Sequence, residues 1–233
     1  MSDYANVKTV HKQYAANAER WKKIRDILNG EYKDYLRNVG ASEPDAAYAK
    51  QRQKDYEDGA VFYNFSKRTL AGMVGAVMRK PPEVILPLEL EYLLDNCDGK
   101  GMGLVSQAQD TLREVDGLAR AGLLVDAPNV ELANRAQQNS GQLNPRILMY
   151  TAENILNWRD NMIVLRETYE YEGANEFDWK EGERFRVLEL IGGYYQQRVF
   201  EFDNVGGITG EPQKIEPKIN GARMTYIPLY FVG

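Results

Sequence analysis

The sequence predicts an α+β fold, N-terminal helices followed by an antiparallel β-rich part, and three observations predict it. Apolar residues recur at intervals of three and four through the first half of the chain. Beyond Arg146 the interval becomes two. Glycine and proline pairs punctuate the chain where one element gives way to the next. The change of period divides the chain into a mainly helical part, residues 1–145, and a β-rich part, residues 146–233.

The first helix is expected over about Asn6 to Val39. Val7, Val10, Tyr14, Ala18, Trp21, Ile24 or Arg25, Leu28, Tyr32 and Leu36 lie on one face, and Asn29-Gly30 marks an end or a break. Val39 to Glu43, before Pro44, reads as a loop. A second helical pattern covers about Ala46 to Met78, interrupted near Asp58-Gly59, with Phe62, Phe65, Thr69, Met73 and Val77 at helical intervals. It must stop at Pro81-Pro82, which remove two donors and push the preceding residue out of the helical region. An extended piece, Glu83 to Pro87, a short apolar stretch, Leu88 to Leu94, and a turn at Asp98 to Gly101 follow. The third helix is expected from about Leu104 to Ala121, with Ala108, Leu112, Val115 and Ala119 on one face and Gly122 ending it.

Leu123 to Asp126 reads as a short buried strand stopped by Pro128, and the Asn- and Gln-rich stretch Asn129 to Pro145 as a loop. Ile163, Leu165, Glu167, Tyr169 and Tyr171 alternate with Val164, Arg166, Thr168 and Glu170. Phe185–Ile191 and Tyr194–Phe202, separated by Gly192-Gly193, form a hairpin signal. The aromatic run Thr225–Gly233 reads either as a strand docked in a sheet or, the preferred reading, as the point where a longer chain has been cut.

The 233 residues are 43% hydrophobic and 27% charged, enough apolar material to bury one large core or two small ones. Apolar residues never run unbroken for the roughly 18 positions that span a bilayer, and no signal pattern opens the chain. No membrane partner is therefore expected, and synthesis in the cytoplasm is. The net charge of −5 argues against general DNA coating, which draws on lysine and arginine to displace counterions. Between Tyr150 and Asp203 twelve acidic residues face six basic ones.

Catalytic chemistry finds little to work with. The lone histidine, His11, reads as a solvated side chain, and with Cys97 the lone cysteine no disulfide or soft-ligand metal site can form within the chain. Gly99 to Gly103 lacks the Lys-Ser/Thr ending of a phosphate loop. If Gly99 were the turn glycine of a calcium loop, Leu94 and Val105 would fall at ligand positions they cannot fill. Glu153 and Asp160 could form a carboxylate pair, but nothing fixes their separation. The basic cluster Arg20-Trp21-Lys22-Lys23-Ile24-Arg25 reads as charges flanking a buried tryptophan, and Gly72 and Gly75 as close helix packing. No enzyme and no cofactor are expected.

Four segments carry a resemblance. Trp21 to Gly30, with its Trp, Arg-Asp and Gly, is similar to the opening helix of a portal-like family of tailed-phage proteins, although Tyr35-Leu36-Arg37 departs from the family's Tyr-Leu-Pro. Tyr56 with Phe62 to Pro82 resembles the family's helix ending in Gly-x-x-Phe-Arg-Lys-Pro-Pro, with Met78 in place of the phenylalanine. Arg120 to Pro128 resembles its helix-to-strand junction, and Tyr150 to Arg159 the segment that opens its β-rich part.

The resemblance implies a portal subunit. Such a subunit forms a homo-oligomeric ring, typically of twelve copies, at one capsid vertex of the virion, made in the host bacterial cytoplasm. DNA is packaged and ejected through the ring, which docks terminase, capsid and tail adaptor proteins. Both parts of the chain would then belong to the wing, with stem and clip beyond its end. A head-tail adaptor or minor capsid protein is the alternative. Trp21, Tyr63 and Trp158 are expected in the wing core. Glu167, Glu170 and Glu172 are candidates for carboxylates facing the channel, where they would repel the phosphate backbone, or else for the solvated face of a sheet. Double-stranded DNA would pass without tight binding, any weak contact tracing to Arg20, Lys22, Lys23 and Arg25.

Overall fold

Helices begin where a side chain can take up free backbone N–H groups, and three such starts follow one another along the first half of the chain. The computed structural model describes residues 3–127, 144–173, 175, 177–203, 205–219 and 221–233. After a 3-10 segment at Asp3–Lys8, α1 spans Lys12–Asn29; His11 is its N-cap, its Nδ1 accepting from the Gln13 N–H at 3.2 Å. Gly30, at φ 91°, closes it in the left-handed conformation that glycine adopts without cost. The predicted break is therefore an end, and Tyr32 and Leu36 lie beyond it. α2 (Ala46–Gly59) is capped by Asp45 and α3 (Phe65–Val77) by Asn64, whose amide also donates to the Ile27 carbonyl and ties the start of α3 to the end of α1. α4 spans Leu104–Leu118. It stops three residues before the expected end, because Ala119 adopts φ 62°; Gly122 already belongs to the next strand.

That strand, β1 (Ala121–Asp126), is the middle of a three-stranded antiparallel sheet between β2 (Arg146–Thr151) and β10 (Leu229–Val232). The C-terminal aromatic run thus docks on β1, with Gly122 opposite Phe231. A second, five-stranded sheet is a meander of β3 (Ile155–Arg159), β4 (Met162–Glu172), β5 (Trp179–Ile191), β6 (Tyr194–Phe202) and β7 (Gln213–Ile215). Gly192 and Gly193, both with positive φ, make the tight β5–β6 turn that the sequence announced. A two-stranded ribbon, β8 (Lys218–Ile219) and β9 (Ala222–Arg223), precedes β10. The arrangement is α+β, helices first and antiparallel strands second.

Alternation along the strands sorts the core onto two faces. Ile163, Leu165, Leu188 and Tyr195 face Leu124, Tyr150 and Leu229 of the three-stranded sheet. Val164, Phe185, Val187, Phe200 and Phe202 form the other face, which Val7 and Tyr14 of the N-terminal segment cover. A third cluster, Trp21, Leu118 and Ala152, locks α1 to the end of α4. Of the expected loop Asn129 to Pro145, only Asn144 and Pro145 fall among the described residues.

Candidate functional site

The apolar stripe that periodicity finds on α3 is not the side that α3 buries. Val74 is 1% exposed and meets the core, whereas Phe65, Met73 and Val77 are 67%, 52% and 64% exposed and point the other way. With Thr69 they line one face over about 18 Å, at 1.5 Å per residue. Tyr63 extends this ridge, its ring 6.3 Å from that of Phe65. Tyr63 was expected in the core and is instead 72% exposed. In the link between α2 and α3 its neighbour Phe62 takes the inward direction, stacking on Tyr32 at 4.7 Å, and Tyr63 turns outward. Beyond the helix, Ile85 and Leu88 are 86% and 79% exposed.

α4 is not inverted: it turns polar and apolar residues together toward the three-stranded sheet. Among its buried residues, Gln107, Thr111 and Leu118, the Gln107 amide donates to the Ile147 carbonyl at 2.5 Å and its oxygen accepts from the Cys97 thiol at 3.2 Å, while the Thr111 hydroxyl bonds the Gln107 carbonyl. Burial pushes the Cys97 thiol up, away from the nucleophilic form. The predicted apolar face, Ala108, Leu112 and Val115, lines an open cleft of about 300 Å³ with Leu104, Gln107, Thr111, Leu123, Ile147 and Val232. The chain thus carries an apolar ridge on α3 and a mainly apolar cleft beside α4. Contiguous exposed apolar surface of several hundred Å² on a folded chain marks a partner site.

The three carboxylates proposed to face a channel do not share a face. Strand parity puts Glu167 with Ile163 and Leu165, against the three-stranded sheet, and Glu170 and Glu172 on the opposite side, where both are exposed. Glu167 is neutralised where it stands. The Arg186 Nε donates to it at 2.7 Å and the Tyr150 hydroxyl at 2.5 Å; Arg186 also reaches the Gln197 amide oxygen at 2.9 Å and lies 3.6 Å from Asp126. Burial opposes the Arg186 charge, but Tyr150 and Glu167 outweigh it and raise the guanidinium's pKa. Burial first, and then Glu167, push the Tyr150 phenol up as well. This network joins the two sheets and holds Glu167 between them, whereas Glu170 and Glu172 stand exposed on the other side of β4.

Trp21 is buried as expected, 7% exposed, its indole N–H donating to the Leu118 carbonyl at 3.1 Å. Trp158 is half-buried against the inter-sheet core. His11 is not the free solvated side chain expected of it: besides capping α1, it stacks on Trp158 at 4.0 Å. Arg25 is not free to meet phosphate. It holds Glu114 at 2.6 Å and Glu153 at 2.8 Å, linking α1, α4 and the Ala152–Asn154 turn, which also removes Glu153 from any pair with Asp160. Lys22 pairs with Asp26, and Lys23 lies over the Tyr35 ring.

Burial would raise the Glu153 carboxyl, yet the bond from Arg25 outweighs it and holds the group below its usual range. A depressed carboxyl contributes stability that is present above its unfolded pKa of about 4.3 and is lost as pH falls through the folded value. Thermal melts at decreasing pH should therefore show a loss below about pH 4.3 that is smaller in Glu153→Gln. Equal slopes in the two proteins would show that the pair contributes nothing.

No family model matches this chain. No curated protein is significantly similar to it. Among the described residues, no group of three or more His, Cys, Asp or Glu stands where it could hold a metal ion, and no helix is long and apolar enough to cross a membrane. The residues that sequence reasoning missed are arginines. Arg186 finds Glu167 on a neighbouring strand, and Arg120 packs on Trp21 and Trp158, which lie far away in the chain. Parity puts the first pair on one face of the sheet, but only the register brings the two together; no local signal reveals the second.

Proposed function

We propose that this chain is a subunit of a portal ring, a homo-oligomer at a capsid vertex of a tailed-phage virion. In this reading double-stranded DNA passes through the ring, and terminase and tail adaptor proteins dock on it. The observation that carries the reading is the pair of unlike apolar surfaces, the α3 ridge and the α4 cleft. A two-fold dimer needs one self-complementary patch, whereas a ring needs two different surfaces that mate head to tail. Burying Phe65, Met73 and Val77 would stabilise such a contact by about 1.5–3 kcal/mol for each side chain fully removed from water.

Two further observations support it. The four segments that resemble the portal-like family fall on the end of α1, on α3 with its proline stop, on β1, and on the passage from β2 into β3. Glu170 and Glu172, exposed on one face of β4, suit a surface that duplex DNA slides past, since carboxylates repel the phosphate backbone. Native mass spectrometry and negative-stain imaging of the complete gene product at micromolar concentration test the proposal. Closed rings with a channel wide enough for duplex DNA are expected; a monodisperse monomer or an isolated two-fold dimer would refute it.

A further inference from the structure

Between α1 and the end of α4 the surface opens a cleft of about 450 Å³, lined by residues that include Gln13, Asn17, Arg20, Trp21, Arg120 and Trp158, with no carboxylate among its lining. Arg120 is held there by aromatic rings, its guanidinium carbon 4.8 Å from the Trp21 centroid and 4.4 Å from that of Trp158. One terminal nitrogen donates to the Ala152 and Ile155 carbonyls at 2.9 and 3.0 Å. The buried Nε has no partner, and the other terminal nitrogen bonds no described residue.

Three other arginines are bonded differently. Arg25, Arg184 and Arg186 each hold a carboxylate within 3.0 Å. Arg120 holds none among the described residues, and burial draws its pKa below the ordinary arginine value, as it does for a desolvated cation that lacks an anion in contact. Arg20, exposed on α1, brings a second positive charge to the same cleft.

We propose that this cleft binds an oxyanion, a carboxylate or phosphate group, through the free terminal nitrogen of Arg120 with Arg20 as the second cation. The site is independent of the portal reading. One terminal nitrogen is taken up by the two carbonyls and Nε is buried, so Arg120 offers the anion one charge-assisted contact and Arg20 the other. The aromatic rings fix the plane of the guanidinium and the two carbonyls fix its rotation, so little freedom remains to be lost on binding.

Tryptophan fluorescence reads the site directly, because Trp21 and Trp158 flank Arg120. Trp179, 59% exposed on β5, is first replaced by phenylalanine to remove the remaining reporter. Inorganic phosphate and acetate are titrated separately at constant ionic strength, with chloride as the control. A saturable response to phosphate, acetate or both is expected, and which anion saturates identifies the group. Arg120→Lys keeps the charge but loses the planar group that the two rings and two carbonyls hold in place, and should weaken binding about tenfold. Should that variant fold poorly, Arg20→Gln, at an exposed position, should weaken binding several-fold with an unchanged unfolding midpoint. The proposal is overturned if both oxyanions behave like chloride, or if binding saturates with Arg20→Gln indistinguishable from the parent.

Discussion

Trp21→Ala is expected to destabilise the fold by about 3–5 kcal/mol, the range for removing a large buried aromatic ring. Three losses coincide there. The ring fills the contact between α1 and the end of α4, with Tyr14 edge-on at 5.5 Å. Its N–H satisfies the Leu118 carbonyl near the end of α4, which would lose that donor. Its face carries the Arg120 guanidinium, which would keep Trp158 as its nearest aromatic support. Tyr63→Ala, by contrast, should change stability by no more than about 0.5 kcal/mol, as is usual for exposed positions. Trp158→Ala should fall between them, since that ring is half-buried between His11 and Arg120. Urea unfolding of the three variants checks the order. A Trp21→Ala midpoint equal to that of the parent, or a Tyr63→Ala loss as large as that of Trp21→Ala, would be incompatible with the packing described.

Punctuation was the most legible part of the fold. Asn29-Gly30, Asp58-Gly59, Pro81-Pro82 and Gly192-Gly193 each fall at or just beyond the end of an element, because glycine and proline act through the local backbone and need no distant partner. Ala119 escaped notice for the complementary reason. Nothing in an alanine announces a left-handed residue, and the helix seemed to run on to Gly122. Strand parity was legible too, and the alternation that placed Glu167 and Glu170 on opposite faces was open to inspection. Invisible was the neutralisation of Glu167, which depends on the register that brings Arg186 beside it from the next strand.

The sidedness of the helices was the larger omission. Periodicity identifies an apolar stripe but does not say what covers it. On α4 the stripe shares one cleft against the sheet with Gln107 and Thr111, which bond Cys97, the Ile147 carbonyl and the helix's own backbone. On α3 the inner side needs little more than Val74 and Leu70, leaving Phe65, Met73 and Val77 outside. A subunit that shares its core with neighbours has two kinds of apolar face, and a single sequence marks both in the same way.

Adjacent residues on α3 separate the two kinds of face experimentally. Met73 is 52% exposed on the ridge, and Val74 is 1% exposed on the core side. Met73→Asp should leave the subunit folded, with an unfolding midpoint close to that of the parent, because its carboxylate stays in water in the monomer. Assembly should suffer instead. An unpaired carboxylate pressed into an apolar contact adds a desolvation penalty of several kcal/mol to the lost packing. Self-association should weaken by about 100-fold or more, since each 1.4 kcal/mol is a factor of ten. Val74→Asp should do the reverse and lower the stability of the subunit itself by more than about 3 kcal/mol, because the charge is buried in every state of assembly. Sedimentation velocity and urea unfolding on both variants distinguish the outcomes. If Met73→Asp assembled like the parent, the α3 ridge would not be a subunit contact. If Val74→Asp unfolded at the parent's midpoint, the buried side of α3 would be wrongly assigned. A variant pair in which only Met73→Asp loses assembly and only Val74→Asp loses stability would place the subunit contact on the outward face of α3.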